Sequence, residues 1–152
     1  MSLQEVLLHA KSIGAQRVII VGRGLRGNPG RIEIIERMEP PLVSMIIKLR
    51  GVKLARELGV RPQPPHKLSI VVQQPSEVLE FAHELAVALN LPLIEEVEPS
   101  ELSHAYDSAL LVEQASSTRP LPVLRFIDTL SGRPRGPRLL VEKYRVTRYA
   151  DV

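Results

Sequence analysis

The chain has 152 residues, of which 44% are hydrophobic and 24% are charged, which is the size and composition of a single globular domain. Cysteine is absent, so disulfides, thiol nucleophiles and cysteine-based metal centres are excluded. No run of about 18 apolar residues occurs, so we expect no membrane-spanning helix, no membrane partner and a cytoplasmic location.

Charge is distributed unevenly along the sequence. Residues 1–61 contain 11 Lys and Arg against 5 acids, residues 62–106 contain one Lys against 7 Glu, and residues 107–152 contain 8 basic residues against 5 acidic ones. Of the 20 basic residues, 15 are Arg, whose planar guanidinium suits bidentate contact with phosphate. The two basic segments predict a polyanion as partner, whereas an aromatic content of 3% argues against a sheet that stacks RNA bases on Phe and Tyr.

Apolar periodicity predicts a chain in which helices and strands alternate. Strands are expected at residues 17–22, 32–37, 42–49, 68–72, 91–97 and 109–112. Helical segments are expected at residues 2–10, 51–59, 76–90 and 99–104. Ser2 and Glu5 have capping-box spacing for the first helix, and Ser76 is positioned to cap the longest one. The proline-rich segment 61–67 is expected to be an exposed connector.

These elements indicate an α/β or α+β fold with much antiparallel pairing. The runs 32–37 and 42–49 are expected to form a hairpin-like pair around a turn at 39–41. A helix followed by a strand occurs at 2–22 and again at 76–97, which suggests a structural duplication without visible sequence identity.

The last part of the chain predicts a β-hairpin, with strands over 122–130 and 138–146 around a basic turn. Pro137 is expected at the first position or the edge of the second strand, because it has no N–H to donate to a neighbour. Basic residues concentrate in the turn and along the second strand: Arg133, Arg135, Arg138, Lys143 and Arg145. They predict a phosphate-binding patch, and a plain solvated hairpin is the alternative.

A glycine-rich loop, Gly22-Arg23-Gly24-Leu25-Arg26-Gly27, follows the first strand. Its spacing matches the dinucleotide-binding motif, but that motif needs a helix at the third glycine, and here the chain continues with a strand pattern at 31–34. A nucleotide-binding enzyme that uses the Gly22–Gly27 loop is therefore the least favoured hypothesis. The loop is instead predicted to hold phosphates, or to be a solvated turn, and its candidate ligands are Arg23, Arg26, Asn28 and Arg31.

No residue arrangement predicts catalysis, a metal or a cofactor. The four histidines, at positions 9, 66, 83 and 104, lack a second ligand at metal-binding spacing. Glu95, Glu96, Glu98 and Glu101 cluster, but a solvated acidic edge explains them better than a divalent-cation site. We therefore expect that the protein is not an enzyme.

Three stretches spread over the whole chain carry a family resemblance: residues 1–7 with 17–21, residues 26–34, and residues 130–146. The third contains Gly136-Pro137-Arg138 ahead of a strand, which is the most specific of the three signatures. In this order the stretches resemble the Brix-domain family of ribosome-biogenesis proteins, in its short stand-alone archaeal form. Residues 50–115 match that family mainly in the order of elements, and the basic Thr-Ser-Arg-type segment that usually precedes the first helix is not found in this sequence.

The resemblance implies a single domain over 1–152 with two similar α/β halves, about 1–66 and 67–152, related to the anticodon-binding domain of class II aminoacyl-tRNA synthetases. It also implies binding of rRNA or pre-rRNA during subunit assembly and rRNA processing, without chemistry. The alternative is a protein-interaction module, in which the acidic middle and the apolar face of the helix at 76–90 dock another assembly protein. The RNA hypothesis assigns arginine–phosphate contacts to the first loop and the final hairpin, through Arg23, Arg26, Asn28, Arg31, Arg133, Arg135, Arg138, Lys143 and Arg145.

Overall fold

The structure, a computed structural model, describes residues 2–24, 28–37, 42–74, 76–116, 118 and 120–149. Its regular elements, in chain order, are α1 (Leu3–Ser12), β1 (Val18–Arg23), β2 (Pro29–Arg37), β3 (Leu42–Lys53), β4 (Leu68–Val72), α2 (Leu79–Leu89), β5 (Leu93–Glu95), β6 (Ser108–Gln114), β7 (Pro122–Asp128) and β8 (Pro134–Tyr149). Two short 3-10 helical turns, Ala55–Leu58 and Pro99–Leu102, lie between strands.

The eight strands form one mixed sheet, in the order β1-β2-β3-β8-β7-β6-β4-β5. Neighbouring strands are antiparallel, except that β4 runs parallel to both β5 and β6. This confirms the predicted α+β class. The proposed pair of similar halves stays a prediction.

One face of the sheet, called here the helix face, packs against α2. Phe81 and Leu85 of α2 are 1% and 2% exposed, and they belong to the same buried cluster as strand residues such as Ile47 and Val141. Phe81 also meets Tyr144 of β8 edge to face, with 4.9 Å between ring centroids. The apolar side of α2 is thus buried inside its own chain, so the expectation that it docks another protein is wrong.

The opposite face, called here the open face, is covered only at its two ends. At one end, Leu7 of α1 packs on Ile35, together with Val18 and Ile20. At the other end, residues of the 97–102 segment pack on a small apolar cluster, Val71, Ala109, Leu111 and Ile127. Between these two covers the open face carries charged side chains from β2, β3, β8 and β7, and these form the candidate site.

Most predicted elements are confirmed, and the predicted N-terminal cap is present. The Ser2 hydroxyl accepts the Glu5 N–H at 3.2 Å, and the Glu5 carboxylate accepts the Ser2 N–H at 3.3 Å. Residues 61–67 form no regular element and are exposed, as expected for the connector. The predicted turn at 39–41 lies outside the described residues.

The predicted helix at 51–59 is wrong. β3 continues through this segment to Lys53, because Val52 pairs with Leu139 of β8 and packs against the core. Only a 3-10 turn, Ala55–Leu58, follows before Gly59 ends it with a φ of 72°. Tertiary pairing has overridden a weak local helical pattern.

The second helix begins later than predicted, at Leu79, and its N-cap residue is Val78. Ser76 does not cap it. Its carbonyl accepts the Leu79 N–H at 3.1 Å and its hydroxyl accepts the Val78 N–H at 3.4 Å, so it shapes a turn ahead of the helix. The C-terminal end is as predicted, with Asn90 in the left-handed conformation at a φ of 54°.

The final hairpin forms, but Pro137 lies inside β8, which begins at Pro134, so the expected strand start is corrected. Arg125 pairs with Arg138 and Ile127 pairs with Pro134, so a bulge of three β8 residues lies opposite Phe126. A bulge interrupts the ladder, and Pro137 is tolerated there without a lost hydrogen bond.

Candidate nucleic-acid interface

The glycine loop closes the β1–β2 hairpin. The Gly24 N–H donates to the Asn28 carbonyl at 2.6 Å, and a Cβ on Gly24 would lie 2.8 Å from the Gly30 Cα. These two glycines are therefore required by the close approach of the two chain segments, since any side chain there would clash with backbone. β2, and no helix, follows the loop. Arg26 and Gly27 lie outside the described residues.

Three cations form a row across the middle of the sheet. Arg31 of β2 pairs with Lys48 of β3, and Lys48 pairs with Lys143 of β8. Side chains of directly paired residues point to the same face, and all three are exposed. Because Lys48 lies between the core residues Ile47 and Leu49, that face is the open one. Neighbouring strands are about 4.8 Å apart, so the row spans roughly 10 Å.

A second row of three cations crosses the same face further along the strands. Lys53 of β3 pairs with Arg138 of β8, and Arg138 pairs with Arg125 of β7. Arg138 adjoins the core residue Leu139, which points to the helix face, so this row also lies on the open face. We name the two rows together the cationic face, and its members are Arg31, Lys48, Lys53, Arg125, Arg138 and Lys143.

Three members of the cationic face have ion-pair partners: Arg31 with Glu33 at 3.5 Å, Lys48 with Glu142 at 3.2 Å, and Arg125 with Glu113 at 2.7 Å. Arg125 donates twice to Glu113, and this hydrogen bonding raises the pKa of the guanidinium. Lys53, Arg138 and Lys143 have no ion-pair partner among the described residues. An exposed ion pair is worth only about 0–1 kcal/mol, so a phosphate group competes readily for Arg31 and Lys48.

The acidic residues of α2 lie on the other side of the sheet. Burial first, and then the nearby Glu80 and Glu84 carboxylates, raise the pKa of Tyr144, whose ring packs against α2. The sheet therefore separates these carboxylates from the cationic face. That separation keeps the α2 carboxylates away from a polyanion bound on the open face.

The structure brings only some of the residues predicted from the sequence together. Arg31, Arg138 and Lys143 belong to the cationic face, and the exposed Arg145 pairs with Ile46 two residues beyond the first row, on the same face. The exposed Arg23 and Arg133 lie at the end of β1 and in the β7–β8 turn. Lys48, Lys53 and Arg125 were missed, although Lys48 interrupts an otherwise apolar run, which is the one local signal that it faces away from the core.

Arg135 is engaged within the protein. Its side chain is 13% exposed, and Nη1 donates to the Asp107 carbonyl and carboxylate, both at 3.2 Å, and to the Ser108 hydroxyl at 2.8 Å. Nη2 donates to the Gln63 side chain at 3.2 Å. These bonds join the hairpin to the start of β6 and to the proline-rich connector, so Arg135 is not available to a phosphate group.

Asp107 connects the same elements from the other side. Its carboxylate accepts the backbone N–H of Lys67 at 2.7 Å and of His66 at 3.1 Å. These two hydrogen bonds, with the Arg135 guanidinium, lower the pKa of Asp107. Asp128 behaves similarly, because the N–H groups of Ser131 and Leu130 hold its pKa below the usual range.

The lowered pKa values predict acid sensitivity. A lowered carboxyl pKa in the folded state stabilises the protein above the unfolded-state pKa of about 3.9, and this contribution is lost as the pH falls through the folded-state value. We expect Asp107→Asn to reduce stability at pH 7 by about 1–3 kcal/mol and to flatten the decline between pH 5 and pH 2. Urea unfolding across that range measures both effects. The exposed Glu77→Gln serves as control, and an Asp107→Asn profile parallel to that control would contradict the prediction.

Other kinds of site find little support. Among the described residues no group of three or more His, Asp or Glu could hold a metal ion, which includes the cluster from Glu95 to Glu101. A cavity of about 530 Å³ lies at the carboxyl ends of β4 and β6, lined mainly by amide and carboxylate side chains such as Gln73, Gln114 and Glu98. Neither helix of the described chain is long and apolar enough to cross a membrane.

Comparison with known proteins gives an informative likeness. The chain is similar to the crystal structure of a probable ribosomal biogenesis protein from Aeropyrum pernix K1, with a TM-score of 0.67 and 26% sequence identity. The similarity covers 94% of this chain and 76% of that one. No family model matches the sequence, and no curated protein is similar to it. The likeness supports the ribosome-biogenesis resemblance, and the Brix assignment stays a prediction.

Proposed function

We propose that this protein is a non-catalytic ribosome-biogenesis factor that binds rRNA or pre-rRNA with its cationic face. The observation that carries the proposal is the cross-strand register, which brings Arg31, Lys48 and Lys143 into one row from three separate strands. The similarity to a probable ribosomal biogenesis protein supports the same role. We also propose that the chain is a Brix-type protein of the archaeal form, acting in the cytoplasm with other assembly proteins.

The arrangement suits phosphate contact better than base readout. The cations are attached to the strands of a sheet, so the spacing of their backbone positions is fixed before binding. Little backbone order must therefore be created when RNA binds. Phosphate contacts fix position and orientation but carry little sequence information, so RNA shape or partner proteins supply specificity. Arg23, Asn28, Arg133 and Arg145 extend the proposed contact surface at its margins, and Arg135 is left out because its bonds are internal.

The proposal predicts salt-dependent binding of ribosomal RNA. For about six phosphate contacts on single-stranded regions, the slope of log K against log salt is about −4, so affinity falls about 250-fold between 50 and 200 mM salt. Filter-binding titrations with 16S and 23S rRNA fragments measure this slope, with DNA duplexes of equal length beside them. Equal affinity for the DNA would contradict a ribosomal role, and the absence of RNA binding at 50 mM salt would contradict the proposal as a whole.

The nucleotide-binding alternative is tested in the same samples. Residues Gly24 and Gly30 already have a structural explanation in the hairpin, so we expect no saturable binding of labelled ATP, GTP or NAD. Saturable binding in equilibrium dialysis would reopen the enzyme hypothesis. If the nucleotide also competed with RNA, the nucleotide site would lie at the cationic face.

A further inference from the structure

The two edges of the sheet differ in how well they are protected. β5 forms one edge, and it has three residues and follows Pro92, which limits pairing with another chain. β1 forms the other edge, has six residues and pairs only with β2 among the described residues. Its sequence from Val18 to Val21 is entirely β-branched and contains no charge. An edge of this kind is a ready template for an added strand.

The side chains along the β1 edge alternate in a defined pattern. Val18 and Ile20 point to the open face and pack with α1, so Ile19 and Val21 point to the helix face. There they remain 56% and 57% exposed, since α2 does not cover the outermost strand. Large apolar groups left exposed side by side on an edge strand mark a contact surface.

An arginine stands at each end of this apolar pair. Arg17 precedes it, and its Nε donates to the Ala88 carbonyl of α2 at 2.7 Å, which holds the guanidinium on the helix face. Arg23 ends the strand and is exposed. Arg17, Ile19, Val21 and Arg23 occupy alternate positions, with Arg17 just ahead of β1 and Arg23 at its last residue, where the register with β2 shifts, and their order is cation, apolar, apolar, cation.

The geometry points to a second binding site, at which β1 accepts an extended segment of a partner protein as a ninth strand. The matching segment has acidic, apolar, apolar and acidic residues at alternate positions. Its backbone pairs with the free edge of β1, its apolar side chains cover Ile19 and Val21, and its carboxylates face Arg17 and Arg23. Main-chain hydrogen bonds would give affinity and the alternate side chains specificity, as in other cases of strand addition.

A second copy of this chain does not fit the same edge. In a two-fold antiparallel pairing, paired residues lie on the same face, so the pairing centres on a residue. Centred on Ile20, it sets Arg17 of one copy opposite Arg23 of the other, and like charges directly opposite are destabilising. Centred on Ile19 or Val21, it sets an arginine opposite an apolar side chain. Charge complementarity thus favours an acidic-flanked partner over self-association.

This inference does not depend on RNA binding. The exposed line on β1 belongs to the helix face at one edge, while the cationic face lies on the other side of the central strands. The protein can therefore hold a partner protein and an RNA together, which fits a role in assembly. Arg23 ends β1 and is also assigned to the margin of the proposed RNA surface, so the decisive substitutions are placed at the apolar pair.

The experiment uses fluorescein-labelled synthetic peptides and the full chain. One set has the alternating form Asp-Thr-Val-Thr-Ile-Thr-Asp with the apolar residues varied among Val, Ile and Leu, and the matched set carries Lys in place of Asp. Fluorescence anisotropy is expected to show at least tenfold tighter binding of the acidic set. Hydrogen exchange is expected to show new protection of the backbone amides of residues 18–23 in the complex. Equal binding of both sets, or no binding, overturns the proposal.

Two protein variants locate the site. Ile19→Thr combined with Val21→Thr removes the apolar contact without adding charge and is expected to weaken binding of the acidic peptides at least tenfold, while both side chains are exposed and the fold is retained. Leu130→Thr, at a position 79% exposed in the β7–β8 turn, is the matched control and leaves peptide binding unchanged. Circular dichroism confirms folding of all variants. Retained binding in the double variant overturns the site, and unchanged rRNA affinity in it separates this result from the proposed RNA function.

Discussion

Replacing Lys48, Arg138 and Lys143 together with glutamine is expected to weaken rRNA binding by about 100-fold at 50 mM salt and to reduce the salt slope by about 2. The three residues contribute half of the cationic face and come from both of its rows. Each loses one phosphate contact and the counterion release that accompanies it. All three are exposed, and only Lys48 has an ion-pair partner among the described residues, so stability should change little.

The matched control carries the same loss of charge outside the strands of the sheet. Arg56, Arg61 and Lys67 are exposed and lie in the segment between β3 and β4. Their triple replacement with glutamine lowers the net charge equally, and we expect a loss of affinity of less than about fivefold, because a diffuse charge effect is screened within about 10 Å at 0.1 M salt. If both triple variants lose affinity equally, binding follows net charge and the cationic face has no special role.

Sequence patterns predicted the elements well where local chemistry decides them. The Ser2 capping box, the strand at 68–72 and the end of α2 at Asn90 all depend on neighbours within a few residues. The segment 51–59 was mispredicted because its structure is decided by pairing with β8, about 90 residues later in the chain. Local periodicity carries no information on a partner at that distance.

The candidate site shows the same division. Arg31 and Lys143 were singled out for their residue type, but their common row depends on β3 lying between them, and nothing in the sequence gives that order. Arg125 was not predicted because its position beside the other cations depends on the register of β7 with β8, in which it lies opposite Arg138. Arg133, Arg135 and Arg138 look alike in the sequence but have different surroundings in the structure. Arg133 lies in a turn, Arg135 in an internal hydrogen-bond network and Arg138 on the open face.

Arg135 illustrates why a basic cluster in a sequence is not a binding site by itself. We expect Arg135→Met to lower the free energy of unfolding by about 2–3 kcal/mol, because it removes the charge partner of two partly buried aspartates and the bonds to Ser108 and Gln63. The corresponding fall in Tm is about 5–10 °C for a chain of this length. Measured well below that Tm, rRNA affinity should change less than twofold.

For Arg133→Met, two residues away, we expect the opposite: unchanged stability and weaker RNA binding. The Arg133 side chain is exposed in the β7–β8 turn and makes no hydrogen bond or ion pair with the described residues, so its loss should change stability by less than about 0.5 kcal/mol. If the turn borders the bound RNA, the same substitution lowers affinity and the salt slope by about 0.7. Thermal unfolding is therefore expected to detect the Arg135→Met change, and filter binding the Arg133→Met change. A fall in RNA affinity with unchanged stability for Arg135→Met would show instead that its guanidinium leaves the internal network to reach phosphate.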